Sequence, residues 1–249
     1  MPNMNEQLAP HPPLKKYYKD EAHRKEFVDK IFNETARKYD HINNIISFGS
    51  GNWYRKQALL RSGMIPEMRV LDVATGTGLV AKSAVAIVGP KGSVLGLDRS
   101  YNMLLEVNKK LDIPLILADA NNLPFKDNSF DFLTMGYALR HVEDLRGTFR
   151  EYYRVLKPGG TILMLELMRP TSKLLYKMVQ LYFRLVVAFI SLPGIGGRDG
   201  GRLIQYYWDT INQFVGSDTV KSTLSESGFT KVKSHQILNF FTEFTGVKP

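Results

Sequence analysis

Short runs of apolar and β-branched residues alternate with helix-like patterns through the middle of the chain. Five of these runs are predicted to be buried strands, at residues 69–73, 93–98, 114–118, 130–135 and 161–165. Apolar positions at helical spacing fill three gaps between them, at residues 79–88, 102–110 and 145–156. Strands that alternate with helices of this length form βαβ crossovers, so we expect a parallel sheet covered on both faces. The pattern therefore predicts a doubly wound α/β fold with its ligand at the carboxyl ends of the strands.

The last third of the chain has a different pattern. It predicts a helix at 173–190, a mobile glycine-rich loop at 193–201, helices at 203–214 and 218–227, and strands at 231–238 and 240–246. The added strands give an expected mostly parallel, seven-stranded sheet. Residues 171–216 are expected to form a helical substrate cap inserted after strand five, within a single domain at 21–249 that begins with a helical N-terminal segment. Residues 1–20 are expected to be a flexible arm.

The predicted helix at 173–190 carries an apolar stripe at helical spacing, formed by Leu174, Met178, Leu181, Leu185 and Phe189. A helix that packs on the core explains such a stripe and is the more frequent case. The apolar surface extends beyond one face, which favours a substrate channel or a lid that faces a membrane. Lys177, Gln180 and Arg184 interrupt the segment. A transmembrane helix, which needs about 20 mostly apolar residues, is therefore not predicted.

The chain has 33 Lys and Arg against 24 Asp and Glu, a formal net charge of +9 at pH 7. Such an excess favours anionic partners, and peripheral association with an anionic membrane is one expectation. No dense cationic run with interleaved aromatic residues is present, so nucleic acid is not a predicted partner. The sequence has no cysteine, its histidines lack ligand-like spacing, and no metal is predicted. The expected location is the cytoplasm, at the inner face of a membrane if the protein docks there.

A glycine-rich segment, Asp72–Gly78, lies where the first predicted strand ends and the first helix begins. Glycines there let the backbone approach a ligand, and the helix N-terminus offers unpaired N–H donors. Because Gly76-x-Gly78-x-x-Ala81 matches the dinucleotide fingerprint, an NAD-dependent oxidoreductase is one interpretation and a bare turn is another. The Asp72 carboxylate favours a different ligand, since it would repel a pyrophosphate and attract the ammonium of a methionine group.

Two further acids follow predicted strands. Asp98 ends the second strand, where its carboxylate can accept hydrogen bonds from the hydroxyls of an adenosine ribose. Asp119 and Ala120 follow the third strand, where an acid beside an apolar neighbour can accept from an adenine amino group. A solvated loop acid explains Asp119 equally well. Residues 155–160 contain the Pro and Gly that end a helix and are expected to be structural.

The motifs from residue 72 to 160, taken in order, resemble those of class I S-adenosylmethionine-dependent methyltransferases, which have a Rossmann-like fold. Residues 27–248 also resemble a narrower group, the ubiquinone/menaquinone biosynthesis C-methyltransferase family. The marks of this family are Lys38-Tyr39-Asp40, the segment NNIISFG at 43–49, Trp53, the segment ALRHV at 138–142 and the segment YYWDTI at 206–211. The resemblance implies a C-methyltransferase that uses S-adenosylmethionine and acts on a prenylated quinol, such as demethylmenaquinol or a related polyprenyl hydroquinone.

The resemblance also implies cofactor contacts at Thr77, Asp98, Asp119 and Ala120, with Tyr39 in an N-terminal segment that folds over the cofactor. The glycine-rich loop and the ends of the strands add further candidates. Together, the predicted cofactor-binding residues are Tyr39, Asp72, Thr75, Gly76, Thr77, Gly78, Asp98, Arg99, Asp119, Ala120 and Gly136. The chain departs from the family at the loop, where two adjacent glycines are usual. It also departs at Gly136, where the family has a serine.

Arg140 and His141 follow the fourth predicted strand, where an acceptor should lie, and the family has Arg-Asn at this place. Carbon methylation of a phenol needs a base, because loss of the phenolic proton makes the neighbouring ring carbon nucleophilic. We expect His141 to be this base, or Arg140 to stabilise the phenolate and orient a water. The structural alternative is that His141 caps the next helix and Arg140 pairs with a carboxylate.

Other functions are compatible with the same sequence. A similar donor site with a different cap would methylate another small aromatic or hydrophobic acceptor. A non-catalytic nucleotide-binding subunit would keep the loop without the chemistry. The sequence does not define the oligomeric state, although a homodimer is compatible with it.

Overall fold

The computed structural model describes residues 7–249, apart from the side chains of residues 21 and 22. Its helices are α1 (Glu21–Ile46), α2 (Gly51–Arg61), α3 (Leu79–Val88), α4 (Tyr101–Asn108), α5 (Leu145–Val155), α6 (Lys173–Ile190), α7 (Gly197–Gln213) and α8 (Ser217–Glu226). Its strands are β1 (Arg69–Val73), β2 (Ser93–Asp98), β3 (Leu115–Leu117), β4 (Phe130–Gly136), β5 (Leu156–Leu167), β6 (Thr230–Ile237) and β7 (Phe241–Val247). A short 3₁₀ turn, Leu139–His141, follows β4.

The strands form one seven-stranded sheet in the order β3-β2-β1-β4-β5-β7-β6. Strands β1 to β5 pair in parallel, whereas β7 is antiparallel to both β5 and β6. The strand order reverses where β1 lies between β2 and β4, which is the switch point of a doubly wound fold. The predicted doubly wound, mostly parallel sheet is confirmed.

Two apolar cores cover the two faces of this sheet. Leu71 and Val73 of β1 belong to the core that includes α5 and α8, while Val70 belongs to the core that includes α2 and α3. Successive strand residues point to opposite faces, so a strand covered on both sides is apolar almost throughout. Four residues of β1 are buried, and the one polar residue among them is Asp72, which is fully buried.

The register of the central strands brings their carboxyl ends to one edge. Val73, the last residue of β1, pairs with Leu97 of β2 and with Met135 of β4. Asp98 and Gly136 directly follow these two partners. The glycine-rich loop, Asp98 and Gly136 therefore meet at the switch point, where folds of this kind bind their ligands.

The glycine-rich segment at 193–201 is partly helical, so the predicted mobile loop is wrong for residues 197–201, which form the first turn of α7. A β-carbon on Gly200 would lie 3.0 Å from Cγ2 of Ile190 and 3.2 Å from Cδ1 of Ile42. Glycine here allows α6, α7 and α1 to pack closely, because a larger side chain would crowd the contact.

Residues 7–20 pack against the rest of the protein, so the expected flexible arm is wrong over this range, and residues 1–6 of that prediction lie outside the described residues. The Leu8 amide donates to Oδ1 of Asp144 at 2.8 Å. The Tyr17 hydroxyl donates to Oδ2 of Asp209 in α7 at 2.6 Å. These hydrogen bonds tie the N-terminal segment to α7 and to the start of α5.

Helix α6 packs on α1 and α7 through Phe183, Val186 and Ile190, all of which are buried. The apolar stripe noted in the sequence lies elsewhere on the helix and is exposed, at Leu174, Met178, Leu181, Leu185 and Phe189. A core-facing explanation of this stripe is therefore wrong. Over residues 7–249, no helix has both the length and the apolar character that are needed to cross a membrane.

Candidate active site

The loop between β1 and α3 turns sharply, and three of its residues have left-handed backbone conformations. The φ angle is +53° at Ala74, +56° at Gly76 and +83° at Gly78, the residue before α3. A β-carbon on Gly76 would meet no atom within 4 Å, so open space lies beside its main chain. This is the geometry expected of a loop whose backbone approaches a ligand.

A cleft of about 780 Å³, counting the space at its mouth, opens at this loop. It is lined by eight of the predicted site residues: Tyr39, Gly76, Asp98, Arg99, Asp119, Ala120, Gly136 and His141. The other five, which are Asp72, Thr75, Thr77, Gly78 and Arg140, lie outside its lining.

The main chain holds both carboxylate oxygens of Asp98. The Gly76 amide donates to Oδ2 and the Ser100 amide donates to Oδ1, each at 2.8 Å. Burial raises the pKa of Asp98, and these amides oppose the shift by stabilising the ionised form. Each oxygen retains a further lone pair. Because Asp98 lines the cleft, it can accept additional hydrogen bonds from a pair of neighbouring hydroxyls.

Arg99 and Asp119 form a charged part of the wall. Arg99 lies 2.8 Å from Oδ2 of Asp29 and 3.4 Å from Oδ2 of Asp119. Burial of Asp119 opposes its ionisation, but the Asn121 amide, Arg99 and Lys25 outweigh burial and hold the pKa of Asp119 below its ordinary value. Asp119 is therefore an ionised, anchored acceptor for an amino group rather than a freely solvated loop acid.

Helix α1 covers one side of the cleft. The Thr77 hydroxyl donates to Oδ1 of Asp40 on α1, and Nζ of Lys110 lies 2.5 Å from Oδ2 of the same carboxylate. The Tyr207 hydroxyl donates to the Tyr39 hydroxyl at 3.0 Å. Thr77 thus attaches the covering helix to the glycine-rich loop, while Tyr39 contributes to the cleft wall.

Asp72 is fully buried beside the loop rather than in the lining of the cleft. The Thr75 hydroxyl donates to its Oδ2 at 2.6 Å, while Oδ1 has no hydrogen-bond partner among the described residues. Burial raises the pKa of Asp72 to about 7, so its negative charge is only partial at neutral pH. Asp72 and Thr75 support the loop in this structure, and direct contact of Asp72 with a ligand stays a prediction.

Arg140 forms a buried ion pair with Glu166. Its Nε also donates to Oγ1 of Thr210 at 3.1 Å, and its guanidinium lies 5.1 Å from the centre of the Tyr207 ring. The structure therefore shows the carboxylate pairing that was the structural alternative for this residue. The expectation that Arg140 meets a phenolate in the cleft is corrected, because its donors are directed at buried partners.

His141 lines the cleft, and its ring stacks on Tyr206 with 5.4 Å between centroids. Its Nδ1 lies 3.4 Å from the Tyr206 hydroxyl, whereas Nε2 has no hydrogen-bond partner in the described part of the chain. Burial, Arg140 and Arg24 hold the pKa of His141 well below 6.5, so its imidazole is neutral at pH 7. The alternative that His141 caps α5 is wrong, because the Asp144 side chain accepts from the first amides of that helix.

Gly136 ends β4 at the cleft and leaves no room for a side chain. A β-carbon there would lie 2.7 Å from Cγ2 of Val80 in α3. The next residue, Tyr137, has a φ angle of +61° and donates its amide to the carbonyl of Leu165 at 2.7 Å. The serine that the family resemblance places here would require the Val80 side chain or the nearby backbone to move.

Several lining residues are not predicted by the sequence motifs: Val28, Asp29, Phe32, Ser100, Met103, Asn121, Met135, Tyr137 and Val142. Part of this set has a detectable signal. Val28, Phe32 and Tyr39 recur at intervals of four and seven residues, which is the spacing of one helix face. This spacing identifies the face of α1 that covers the cleft, whereas the residues after the strands have no such periodicity.

The residues of the cleft fit a nucleoside ligand. Asp98 can bind a ribose diol, Asp119 can accept from a base amino group, and Leu97, Met103 and Val142 provide apolar walls for a flat ring. No group of three or more metal-ligand side chains comes together within residues 7–249. Fold and cleft together define the class of the protein, a doubly wound α/β protein with a cleft suited to a nucleoside at the switch point of its sheet.

The chain belongs to the ubiE/COQ5 methyltransferase family, whose model matches residues 18–242. It is 38% identical over 222 residues to a demethylmenaquinone methyltransferase of Staphylococcus aureus (strain JH9), covering 86% of this chain and 89% of that protein. The interpretation of the loop as an NAD site is therefore replaced, and the cofactor is S-adenosylmethionine.

Solved structures share the fold at low sequence identity. A SAM-dependent methyltransferase from Aquifex aeolicus matches with a TM-score of 0.59 and 18% identity, covering 84% of this chain and 97% of that one. Phosphoethanolamine N-methyltransferase 2 from Haemonchus contortus, in complex with S-adenosyl-L-methionine, matches with a TM-score of 0.57 and 20% identity, covering 79% of this chain and 53% of that one. Both agree with the methyltransferase fold.

Proposed function

We propose that this chain methylates a ring carbon of a prenylated quinol, with demethylmenaquinol as the first candidate acceptor. One observation carries the proposal: the cleft is lined by the Asp98 carboxylate and also by His141, a neutral imidazole whose buried Nε2 has no hydrogen-bond partner among the described residues. The name of the Staphylococcus aureus relative, demethylmenaquinone methyltransferase, supports the same class of acceptor.

The cofactor would be held by the residues that line its side of the cleft. Asp98 binds the ribose, Asp119 and Ala120 contact the adenine, and Arg99 keeps Asp119 in position through the 3.4 Å ion pair. The main chain at Gly76 lies beside the open space that the methionine end would occupy. These assignments follow from lining, burial and donor–acceptor chemistry.

The bound cofactor supplies a methyl group on a sulfonium, and the protein must align a nucleophilic carbon with it. Removing the phenolic proton of the acceptor creates that nucleophile, because the phenolate charge delocalises onto the adjacent ring carbon. Nε2 of His141 accepts this proton when the ring carries its own hydrogen on Nδ1. In that tautomer the Tyr206 hydroxyl, 3.4 Å from Nδ1, can accept the Nδ1 hydrogen.

Arg140 and Glu166 act as positioning residues in this proposal. The Arg140 amide donates to Oε2 of Glu166 at 3.3 Å, in addition to the ion pair between their side chains. Both interactions fix the short turn that contains His141. Arg140 therefore contributes to catalysis through the orientation of its neighbour rather than by touching the acceptor.

A prenylated acceptor is confined to a lipid bilayer, so we infer that the enzyme works as a peripheral protein on the cytoplasmic face of a membrane. The net charge of +9 supports an anionic surface. Helix α7, within the expected cap at 171–216, contacts the wall of the cleft, because its Tyr207 bonds to Tyr39. A homodimer stays a prediction.

The test is methyl transfer from S-adenosylmethionine to detergent-solubilised demethylmenaquinol, with the new methyl group located by mass spectrometry. We expect one methyl on the ring, and we expect His141→Gln to lower kcat by roughly 10²–10⁴-fold. Calorimetric binding of S-adenosylhomocysteine should be unchanged in this variant, and NAD should not bind. His235→Gln, at an exposed position on β6, is the matched control. Methylation of another aromatic acceptor in place of the quinol would contradict the proposal.

A further inference from the structure

Helix α6 presents its apolar stripe to solvent beside two other exposed apolar side chains. Phe48, in the turn between α1 and α2, is 84% exposed, and its ring lies 6.0 Å from that of Tyr182 on α6. Leu238, in the turn between β6 and β7, is 71% exposed. That turn also contacts α6, since the rings of Phe240 and Phe183 lie 6.3 Å apart. We call the stripe together with Phe48 and Leu238 the docking face.

Phe48 and Leu238 are also strained. Their φ angles are +48° and +54°, in the left-handed region that bulky residues rarely adopt. Each turn thus combines an unfavourable backbone conformation with an unfavourable exposure of a large apolar side chain. Such combinations persist where the surrounding structure enforces them, and they cluster at functional surfaces.

The positive charge of the protein is concentrated in the elements around this face. Residues 41–66, 167–198 and 227–242 together contain ten of the 33 Lys and Arg and none of the 24 Asp and Glu. Two of these ten do not add to the surface charge, because Arg55 is buried and Arg61 pairs with Glu243 at 2.5 Å, which leaves eight. On α6 itself, Lys173, Lys177 and Arg184 are exposed.

We propose that the docking face binds the surface of an anionic lipid bilayer. Apolar side chains on a cation-rich helix enter the boundary between headgroups and acyl chains, while the cations pair with anionic headgroups. Charge selects this occupant over a second copy of the chain, because two faces that both carry the cations of α6 repel each other. The purpose of this docking rests on the proposed function, because an acceptor that resides in the membrane requires the enzyme at the bilayer.

The same geometry connects the docking face to the cleft. Phe183 of α6 packs on Trp208 of α7, with 5.1 Å between ring centroids. The neighbouring Tyr207 donates to Tyr39, and Tyr206 stacks on His141. Helices α6 and α7 therefore connect the docking face to the residues around His141, which lines the cleft.

The experiment measures co-sedimentation of the full chain with vesicles, without cofactor or acceptor. One set contains phosphatidylglycerol and phosphatidylcholine in equal parts, and the other contains phosphatidylcholine alone. We expect binding to the anionic vesicles, weaker binding at high salt, and little binding to the neutral ones. The double variant Leu181→Glu/Leu185→Glu should bind at least about tenfold more weakly, because two inserted apolar side chains become acidic. Leu105→Glu, at an exposed leucine of α4, is the matched control and should bind like the parent chain.

Two results would overturn the docking face: no binding of the parent chain to anionic vesicles at low salt, or equal binding by the Leu181→Glu/Leu185→Glu variant. A third such result would come from sedimentation of the protein in solution. If the parent chain is a dimer and the Leu181→Glu/Leu185→Glu variant is a monomer, the docking face binds a second copy of the chain instead of a bilayer. Methylation in detergent separates this inference from the proposed function. The variant should methylate detergent-solubilised acceptor at the parent rate, and vesicle binding without any acceptor methylation would overturn the function while supporting the docking face.

Discussion

The main-chain amide of Gly76 donates to Oδ2 of Asp98 at 2.8 Å, so the glycine-rich loop and the end of β2 form one unit. The hydrogen bond fixes the carboxylate before any ligand arrives. It also fixes the loop, whose φ angles at Ala74 and Gly76 are both in the left-handed region. A nucleoside that binds Asp98 therefore meets a preformed site, and little ordering of the loop is required.

Asp98→Ala should weaken the binding of S-adenosylhomocysteine by at least about a hundredfold. Hydrogen bonds to a charged group contribute roughly 1.5–3 kcal/mol each, and the substitution removes the acceptor of both ribose hydroxyls. Isothermal titration calorimetry measures the effect. Asp112→Ala, at an exposed acid between α4 and β3, should bind like the parent chain. An unchanged Kd for Asp98→Ala would remove this residue from the cofactor site.

The sheet and the loop are predictable because they depend on local patterns. Strands buried on both faces, such as β1, must be continuous apolar runs, and a helix that begins at a glycine-rich turn has a distinct composition. The first and last residues of a strand are less predictable. Strand β5 begins at Leu156 rather than residue 161, because Leu156 pairs with Phe130 across a register shift that no local pattern encodes.

The contacts between distant segments could not be predicted in this way. Glu166 lies within an apolar strand, and nothing in the spacing indicates that it pairs with Arg140. The stripe on α6 has the periodicity of a core-facing surface, yet its leucines are exposed while Phe183 packs inward. Which apolar face of a helix is buried depends on the elements that pack against it, and for α6 these elements are α1 and α7.

Gly136→Ser should destabilise the protein by roughly 1–3 kcal/mol, because overpacking at a close contact forces neighbouring side chains or backbone to move. The clash is specific, since a β-carbon at this position would lie 2.7 Å from Cγ2 of Val80. Val80→Ala removes the clashing Cγ2 together with Cγ1, so the double variant Gly136→Ser/Val80→Ala should lose less stability than the sum of the two single losses. Chemical denaturation of the parent, the two single variants Gly136→Ser and Val80→Ala, and the double variant measures the coupling. Simple additivity of the two substitutions would contradict the predicted contact.

Glu166→Gln should destabilise the protein by about 3–5 kcal/mol, because Arg140 would remain buried without its counter-charge. Arg140→Met/Glu166→Met should be much closer to the parent in stability, since apolar residues can replace a whole buried pair. If Arg140 positions His141, the double variant should still show a reduced kcat with an unchanged KM for S-adenosylmethionine. Recovery of both stability and kcat would restrict the pair to a structural role.

The N-terminal segment should make the protein sensitive to acid through His11. This residue is buried, its Nε2 lies 3.1 Å from Nη2 of Arg24, and the same Nη2 donates to the carbonyl of Arg140 at 2.8 Å. Burial, together with the charges of Arg24 and Arg140, lowers the pKa of His11 from 6.5 to about 4. Protonation at this position would add a positive charge beside the guanidinium that connects the segment to the His141 turn.

Between pH 6.5 and about 4 the unfolded chain therefore binds a proton at His11 that the folded protein does not, so stability must fall as the pH is lowered through this window. A pKa difference of this size lowers the free energy of unfolding by about 3 kcal/mol between pH 7 and pH 4. His11→Gln keeps an acceptor for Arg24 but cannot titrate. Between pH 7 and pH 4, the free energy of unfolding of this variant should therefore fall by about 3 kcal/mol less than that of the parent. The raised pKa of Asp72 acts in the opposite direction, but it is common to both proteins and cancels in the comparison. Urea unfolding at several pH values measures the difference, with the exposed His235→Gln as control. Parallel curves for the parent and His11→Gln would show that His11 is not held neutral by burial.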